Sequence, residues 1–284
     1  MGLTTLRQTL ASRARGHVLE VAVGTGRNLR FYDWSEIVSA TSDDAEARAE
    51  RSRERVRKML RDGKGDVKRR LEAGEVAEGE VVSFTGVDVS GEMVGVARDR
   101  VREAVPGLEG VMSKKRVEGM PRLDADGKEV TVVEALGGRV RLVLGDAVRG
   151  LPAPPVVVER DPAMATTKAD KYDTIVQTFG LCSVADPARL LANMASAVRP
   201  DTGRIVLLEH GRGDYEWMNR RVDKAAPAHF AKYGCWWNRD IEQLVRDAAA
   251  AVPGLEVVSL ERPLWFQFGT TLLIELKVNS QKKA

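Results

Sequence analysis

His17-Val18-Leu19-Glu20-Val21-Ala22-Val23-Gly24-Thr25-Gly26 decides the fold. The run from His17 to Val23 is short, apolar and β-branched, the pattern of a buried strand. Gly24-Thr25-Gly26 turns the chain, and Arg27 to Tyr32 reads as the start of a helix. A strand that passes through glycines into a helix is the first unit of an open parallel sheet. Ligands bind such sheets outside the carboxyl ends of the strands. Glycines there let the backbone approach a ligand closely. Free N–H groups at the following helix start suit an anionic or polar group. Taken alone the turn is weak evidence, because packing also selects glycine.

Working outward, Val81 to Asp88 is a second strand, and Ser90 caps a helix over Gly91 to Val105. Arg139 to Leu144 is a third strand, running into Gly145-Asp146-Ala147. Tyr172 to Phe179 is a fourth, Pro187 to Val198 a helix, and Arg204 to His210 a fifth strand. Asn238 is expected to cap a helix over Arg239 to Ala251. Leu255 to Arg262 and Trp265 to Lys277 look like a closing antiparallel pair. Strands alternating with helices give an α/β class with a mainly parallel sheet. The last pair has no crossover helix between its members, which predicts an antiparallel edge strand.

Three stretches interrupt this frame of one domain over residues 1–284. Residues 42–80 are a charged insertion with a thin apolar stripe (Val56, Leu60, Val67, Leu71), expected as two short surface helices joined near Gly63 and Gly65. Residues 108–138 are a polar loop that carries Lys114-Lys115-Arg116 and an edge hairpin over Glu129 to Glu134. Residues 211–238 are the expected lid and substrate region, holding three of the five tryptophans.

The 284 residues are 43% hydrophobic with a net charge of only +3, which excludes global disorder. Lys and Arg at 44 nearly balance Asp and Glu at 41, so nucleic-acid binding would need a local basic patch. The longest uncharged stretches, Thr174 to Ala185 and Pro263 to Ile274, are too short to span a membrane and read as strands. Met1 to Gly16 holds Arg7, Arg13 and Arg15 and no acid, as would the stub of a longer targeting or anchoring region. Cys182 and Cys235 make no disulfide framework. With three scattered histidines and no CxxC, no metal site is expected. No basic partner is visible for Cys235, so a buried thiol is expected there.

Three consecutive strand ends carry acids: Glu20, Asp88 and Asp146. A carboxylate after the second strand accepts hydrogen bonds from the cis hydroxyls of a ribose. Asp88 stands much farther past Gly26 than the roughly 20 positions usual in dinucleotide folds. Removing residues 42–80 restores a normal unit. Asp146 beside Ala147 is placed to accept an adenine amine. Together the three argue for an adenosine-containing ligand. There is no GxxxxGK[ST] loop for a triphosphate.

The strings VLEVAVGTGRN, GVDVSGEMV, LGDA, YDTIVQTFGLCSVADP and GRIVLLEHG, in this order, resemble class I S-adenosylmethionine-dependent methyltransferases from about Gly16 to Gly211. FGLCSVADP is similar to a segment of quinone C-methyltransferases. LLEHGRG and KYGCWWNRDI resemble fungal mitochondrial methyltransferase-like proteins. The resemblance implies a Rossmann-like seven-stranded sheet in the order 3-2-1-4-5-7-6, strand 7 antiparallel, with helices on both faces. It implies S-adenosyl-L-methionine as cofactor and S-adenosyl-L-homocysteine as product. Gly24 and Gly26 would pass under the cofactor, Glu20 and Thr25 would help bind it, and Asn28 would lie near the methionine moiety. Asp88 with Val89 would take the ribose, Met93 the adenine face, Asp146 with Ala147 the adenine edge. Gln177 and Phe179 would flank the transferring methyl. The family usually reads ExGxGxG, and its first glycine is Ala22 here.

His210, ending strand five, is the candidate general base, with a structural histidine as the alternative. Tyr32, Trp236 and Trp237 are candidates to wall a lipophilic acceptor. The absence of a [DNS]PP[YF] segment after strand four argues against nucleic-acid methylation. A dehydrogenase is disfavoured because no Tyr-x-x-x-Lys pair follows strand four. The leading expectation is a methyltransferase acting on a small quinone, lipid or thiol. The second is a scaffold protein of a mitochondrial membrane complex on the same fold. Either would have a mitochondrial location by resemblance, and the charged insertion is the candidate for peripheral membrane or membrane-complex contact.

Overall fold

The computed structural model describes residues 2–42, 44–61, 80–112, 123, 126–157 and 167–280. Its centre is β1 (Gly16–Val21), buried at every position and parallel to both neighbours, β2 (Val81–Asp88) and β7 (Thr174–Thr178). Strands covered on both faces need continuous apolar runs, which these sequences supply. On one flank β2 pairs parallel with β4 (Val140–Leu144), and β3 (Val130–Ala135) adds antiparallel to β4. On the other, β7 pairs parallel with β8 (Arg204–His210). There β10 (Thr271–Val278) runs antiparallel between β8 and β9 (Leu255–Glu261). β5 (Val156–Val157) and β6 (Thr167–Lys168) form a separate short pair.

The sheet order is β3-β4-β2-β1-β7-β8-β10-β9, eight strands. The expected order 3-2-1-4-5-7-6 is contained in it. Two corrections follow. The Glu129–Glu134 hairpin joins the main sheet as an eighth strand. The antiparallel strand on the far side is second from the edge, as strand 7 of that order requires and not at the edge as the closing pair alone predicts, because β9 closes outside β10.

The helices bury stripes at helical spacing on both faces. α1 (Leu3–Ser12) buries Leu6, Leu10 and Ala11, so the basic N-terminal stretch is a packed element. After β1 the chain makes turns and a 3-10 turn over Leu29–Phe31, where a helix start was expected; α2 (Ser35–Thr41) follows. α3 (Ala45–Arg61) is one helix, whose Arg53, Arg57 and Arg61 pair with Glu50 and Glu54 along it. Val67, Leu71 and the Gly63–Gly65 joint lie outside the described residues, as does Lys114-Lys115-Arg116.

The Ser90 hydroxyl caps α4 (Gly91–Ala104) by accepting from the Met93 N–H. α5 (Leu108–Val111) is a single turn, and α6 (Pro187–Ala197) is capped by Asp186. α7 (Glu216–Tyr233) ends on left-handed Gly234. α8 (Ile241–Ala251) is capped by Asp240, not by Asn238, whose amide instead donates to Asp223. Trp265–Gln267, expected as strand, is a 3-10 turn, and past Thr178 the fourth strand gives way to a loop. No described helix is long and apolar enough to cross a membrane.

Candidate active site

The turn after β1 is built on left-handed backbone: Ala22 at φ 54°, Gly24 at 55° and Gly26 at 74°. The two glycines have different reasons. A Cβ on Gly24 would meet nothing closer than the Ala22 carbonyl at 3.8 Å, so this residue presents bare backbone to open space. A Cβ on Gly26 would sit 2.4 Å from Leu29 Cδ1 and 3.3 Å from Ala97 Cα. Gly26 therefore also answers to packing against Leu29 and α4. Thr25 is tied down as well: Arg100 Nη1 donates to its carbonyl at 2.7 Å and its hydroxyl at 2.6 Å.

Asp88 meets Gly24 directly. Its Oδ2 accepts from the Gly24 N–H at 2.8 Å and its Oδ1 from the Ser90 N–H at 2.9 Å. Each oxygen keeps a further lone pair. Burial pushes the carboxyl above the usual range, and the N–H donors of Ser90 and Gly24 work against that rise. Val89 and Met93 lie beyond it, 60% and 43% exposed, offering apolar surface outside the core. Asp146 Oδ1 accepts from the Val148 N–H at 3.0 Å. Ala147 is fixed through its carbonyl, which accepts from Asn193 Nδ2 at 2.8 Å.

Glu20 is only 2% exposed and anchors a polar floor. Asn28 Nδ2 donates to its Oε1 at 2.8 Å and the Tyr32 hydroxyl to its Oε2 at 2.9 Å. Burial raises the Glu20 carboxyl from the ordinary 4.5 to about 7, against the pull of Tyr32, Asn28 and Arg7. Asn28 also donates to the Thr178 hydroxyl at 2.9 Å and accepts from Arg7 Nη1 at 2.6 Å. The Arg7 guanidinium stands 5.6 Å over the Phe179 ring.

Sequence reasoning missed two members of this floor. Arg7 comes from α1, beyond the motif-bearing strands. Thr178 is one position from the expected Gln177. Along β7, Val176 packs in one core cluster and Ile175 in the other, so Thr178 shares the face of Glu20 and Asn28. Gln177 is fully buried on the opposite face beneath Gly180, and its amide has no hydrogen-bond partner among the described residues. A one-residue shift along a strand exchanges faces.

The acceptor-wall candidates are each engaged by neighbouring side chains. Tyr32 is buried, edge-on to Trp34 at 5.8 Å, and serves Glu20. Trp236 stacks on Phe230 at 4.3 Å and Trp237 on His229 at 3.9 Å, so both pack against α7. Phe230 and Tyr233 on α7 are exposed, and a second exposed group is Tyr215, Trp217 and Phe268, in mutual ring contact, with Trp265 and Phe266 also exposed. Thr271 pairs with His210, so this group lies at the carboxyl end of β8.

His210 has its ring 4.8 Å from Phe179, and its Nε2 lies 3.2 Å from Cys182 Sγ and 3.0 Å from Cys235 Sγ. Nε2 of the candidate base is thus engaged by two sulfurs. Burial pulls the imidazole down, yet Cys182 and Glu209 hold it above its ordinary value. The Cys182 thiol is pushed up to about 12 by its bond to Cys235 and by burial, while the same bond draws Cys235 down. The scattered cysteines and histidine of the sequence therefore do form a cluster.

An open, mainly parallel sheet with a glycine turn at β1 and a cradled acid ending β2 is the frame of a nucleotide-binding type of α/β domain. The chain belongs to the methyltransferase domain family, whose family model matches residues 3–260. It is similar to "Methyltransferase OMS1, mitochondrial" of Saccharomyces cerevisiae, at 30% identity over 271 residues and 95% of this chain. The chain spans about 40% of that relative's length. Among solved structures, it resembles the YcgJ protein of Bacillus subtilis at TM-score 0.49 and 14% identity, over 98% of each chain. It also resembles magnesium protoporphyrin IX methyltransferase of Synechocystis with S-adenosylhomocysteine bound, at TM-score 0.43 and 13% identity, over 98% of this chain and 79% of that one. The assignment rests on the sequence matches.

Proposed function

We propose that this chain binds S-adenosylmethionine and transfers its methyl group to a small lipophilic acceptor. The carrying observation is the junction of β1 and β2, where bare Gly24 backbone adjoins an Asp88 carboxylate with lone pairs to spare. A ribose fits such a carboxylate, and the sulfonium cofactor, which the family uses as methyl donor, supplies an electrophilic methyl when bound.

In this reading Asp88 holds the ribose hydroxyls and the surface of Val89 and Met93 supports the base, with Asp146 and Ala147 at its edge. Gly24 admits the cofactor close to the backbone. Arg7, half-buried over Phe179, is the cation nearest the Asn28–Thr178 floor and is proposed for the cofactor's carboxylate. Positioning then does most of the work of an in-line displacement. The rim of Tyr215, Trp217 and Phe268 supports an apolar acceptor, as aromatic linings do elsewhere. His210 is not used as the base, because its Nε2 is occupied by the two sulfurs. A mitochondrial setting is proposed from the yeast relative's name. Membrane contact through residues 42–80 has less support, since the described part of that segment pairs its charges internally.

The left-handed Ala22 leaves the open face of Gly24 intact, which favours methyl transfer over the scaffold reading. Transfer of labelled methyl from S-adenosylmethionine to a panel of quinones, lipids and thiols tests the proposal. Labelling of at least one apolar acceptor, lost in Asp88→Ala, is expected. Cofactor binding with no acceptor labelled would return the scaffold reading.

A further inference from the structure

We propose that Cys182, His210 and Cys235 form a binding site for a divalent cation of the zinc type, with a fourth position left to water. The inference stands on geometry and does not depend on methyl transfer. The three residues come from separate segments: the loop after β7, the end of β8 and the turn after α7. Their ligand atoms nevertheless form a near-regular triangle, with Sγ–Sγ at 2.9 Å and Nε2–Sγ at 3.0 and 3.2 Å. Both cysteines are buried and His210 is partly so.

The donor set fits the ion. Two thiolates and an imidazole are the ligands zinc selects, and three protein ligands leave one position open. Two thiolates cancel the charge of a dication, so the assembled site is neutral, as burial demands. Binding releases two thiol protons to solvent and involves no change of oxidation state. A tetrahedral zinc, with Zn–S of about 2.3 Å and Zn–N of about 2.1 Å, separates its ligand atoms by about 3.6–3.8 Å. The ion therefore requires the triangle to widen by only about 0.4–0.9 Å per edge.

The surroundings hold the ligands in place, as outer partners do in metal sites. The Trp236 N–H donates to the Cys182 carbonyl at 2.9 Å. Glu209 Oε1 accepts from the Gly180 and Leu181 N–H groups at 2.9 and 3.1 Å. Arg239 Nη1 donates to the Leu181 and Val184 carbonyls at 2.6 and 2.7 Å. On the other side, His229 Nδ1 donates to the Cys235 carbonyl at 3.0 Å. A bound ion would pin the turn after α7 to the loop beside Phe179.

The test is titration of the reduced, chelator-treated full chain with Co2+, followed by Zn2+. One equivalent of Co2+ should produce thiolate-to-metal charge-transfer absorption and the visible bands of a tetrahedral ion, both bleached by Zn2+. Cys182→Ser and Cys235→Ser, checked for native circular dichroism, should each lose much of the charge-transfer band. Absence of these bands in the native chain at one equivalent overturns the proposal, whatever the variants do. So do bands that survive both substitutions. A third contrary result is a chain purified without reductant that has no free thiols and is lighter by two hydrogens, because a disulfide would then be the cluster's natural state.

Discussion

Ala22 occupies left-handed backbone, where a side chain costs about 1–2 kcal/mol. Ala22→Gly should relieve that strain, and after glycine's larger unfolded-state entropy the net gain should be roughly 0.5–1 kcal/mol. The denaturant midpoint should rise at unchanged slope; a fall would mean that the methyl makes a packing contribution larger than the strain. Asp88→Ala should weaken S-adenosylhomocysteine binding by roughly 1–3 kcal/mol, about 5- to 150-fold, measured by calorimetry. Glu20 contributes one part of the pH dependence. Its carboxyl titrates near 7 in the folded chain and near 4.5 when unfolded. Between those values the native state holds a proton that the unfolded chain has released, so stability falls as pH rises through that window. The Glu20 share of the loss should reach roughly 2.5 kcal/mol between about pH 5 and about pH 8. Glu209, which burial raises to about 8, adds a loss of the same sign, so urea unfolding at both ends should show a larger total, and Glu20→Gln should remove only the Glu20 share.

At the scale of elements, what was legible in the sequence was what is continuous along the chain. β1, β2, β7 and β8 are apolar runs, and α4 and α6 carry both a stripe and a capping side chain. Glu20, Gly24, Asp88 and Asp146 followed from strand ends. Thr178 did not, because two polar neighbours on one strand differ only in which face they meet. Arg7 did not, because an arginine on an amphipathic helix looks alike whether it faces solvent or a polar floor. Arg7→Ala should cost roughly 1–3 kcal/mol of stability by leaving buried Asn28 without its donor, and should weaken cofactor binding of the folded chain about tenfold, as for loss of a charged hydrogen bond. Arg7→Lys should recover part of it. Equal binding by all three forms would remove α1 from the site.

Over the whole molecule, the strand order 3-2-1-4-5-7-6 came from resemblance, since alternation gives class but not neighbours. The eighth strand at one edge was visible only as a short hairpin. Contacts far apart in the chain were the least legible of all: Cys182, His210 and Cys235 carry no common pattern until β7, β8 and α7 converge. The same convergence places glycine backbone, two acids and an apolar surface at the carboxyl edge of one sheet. Calorimetric titration of the full chain with S-adenosylmethionine, S-adenosylhomocysteine and NAD tests that arrangement most directly. Micromolar binding of the first two and none of NAD is the expected result. Failure of both sulfur compounds to bind, or tighter binding of NAD, would contradict the account.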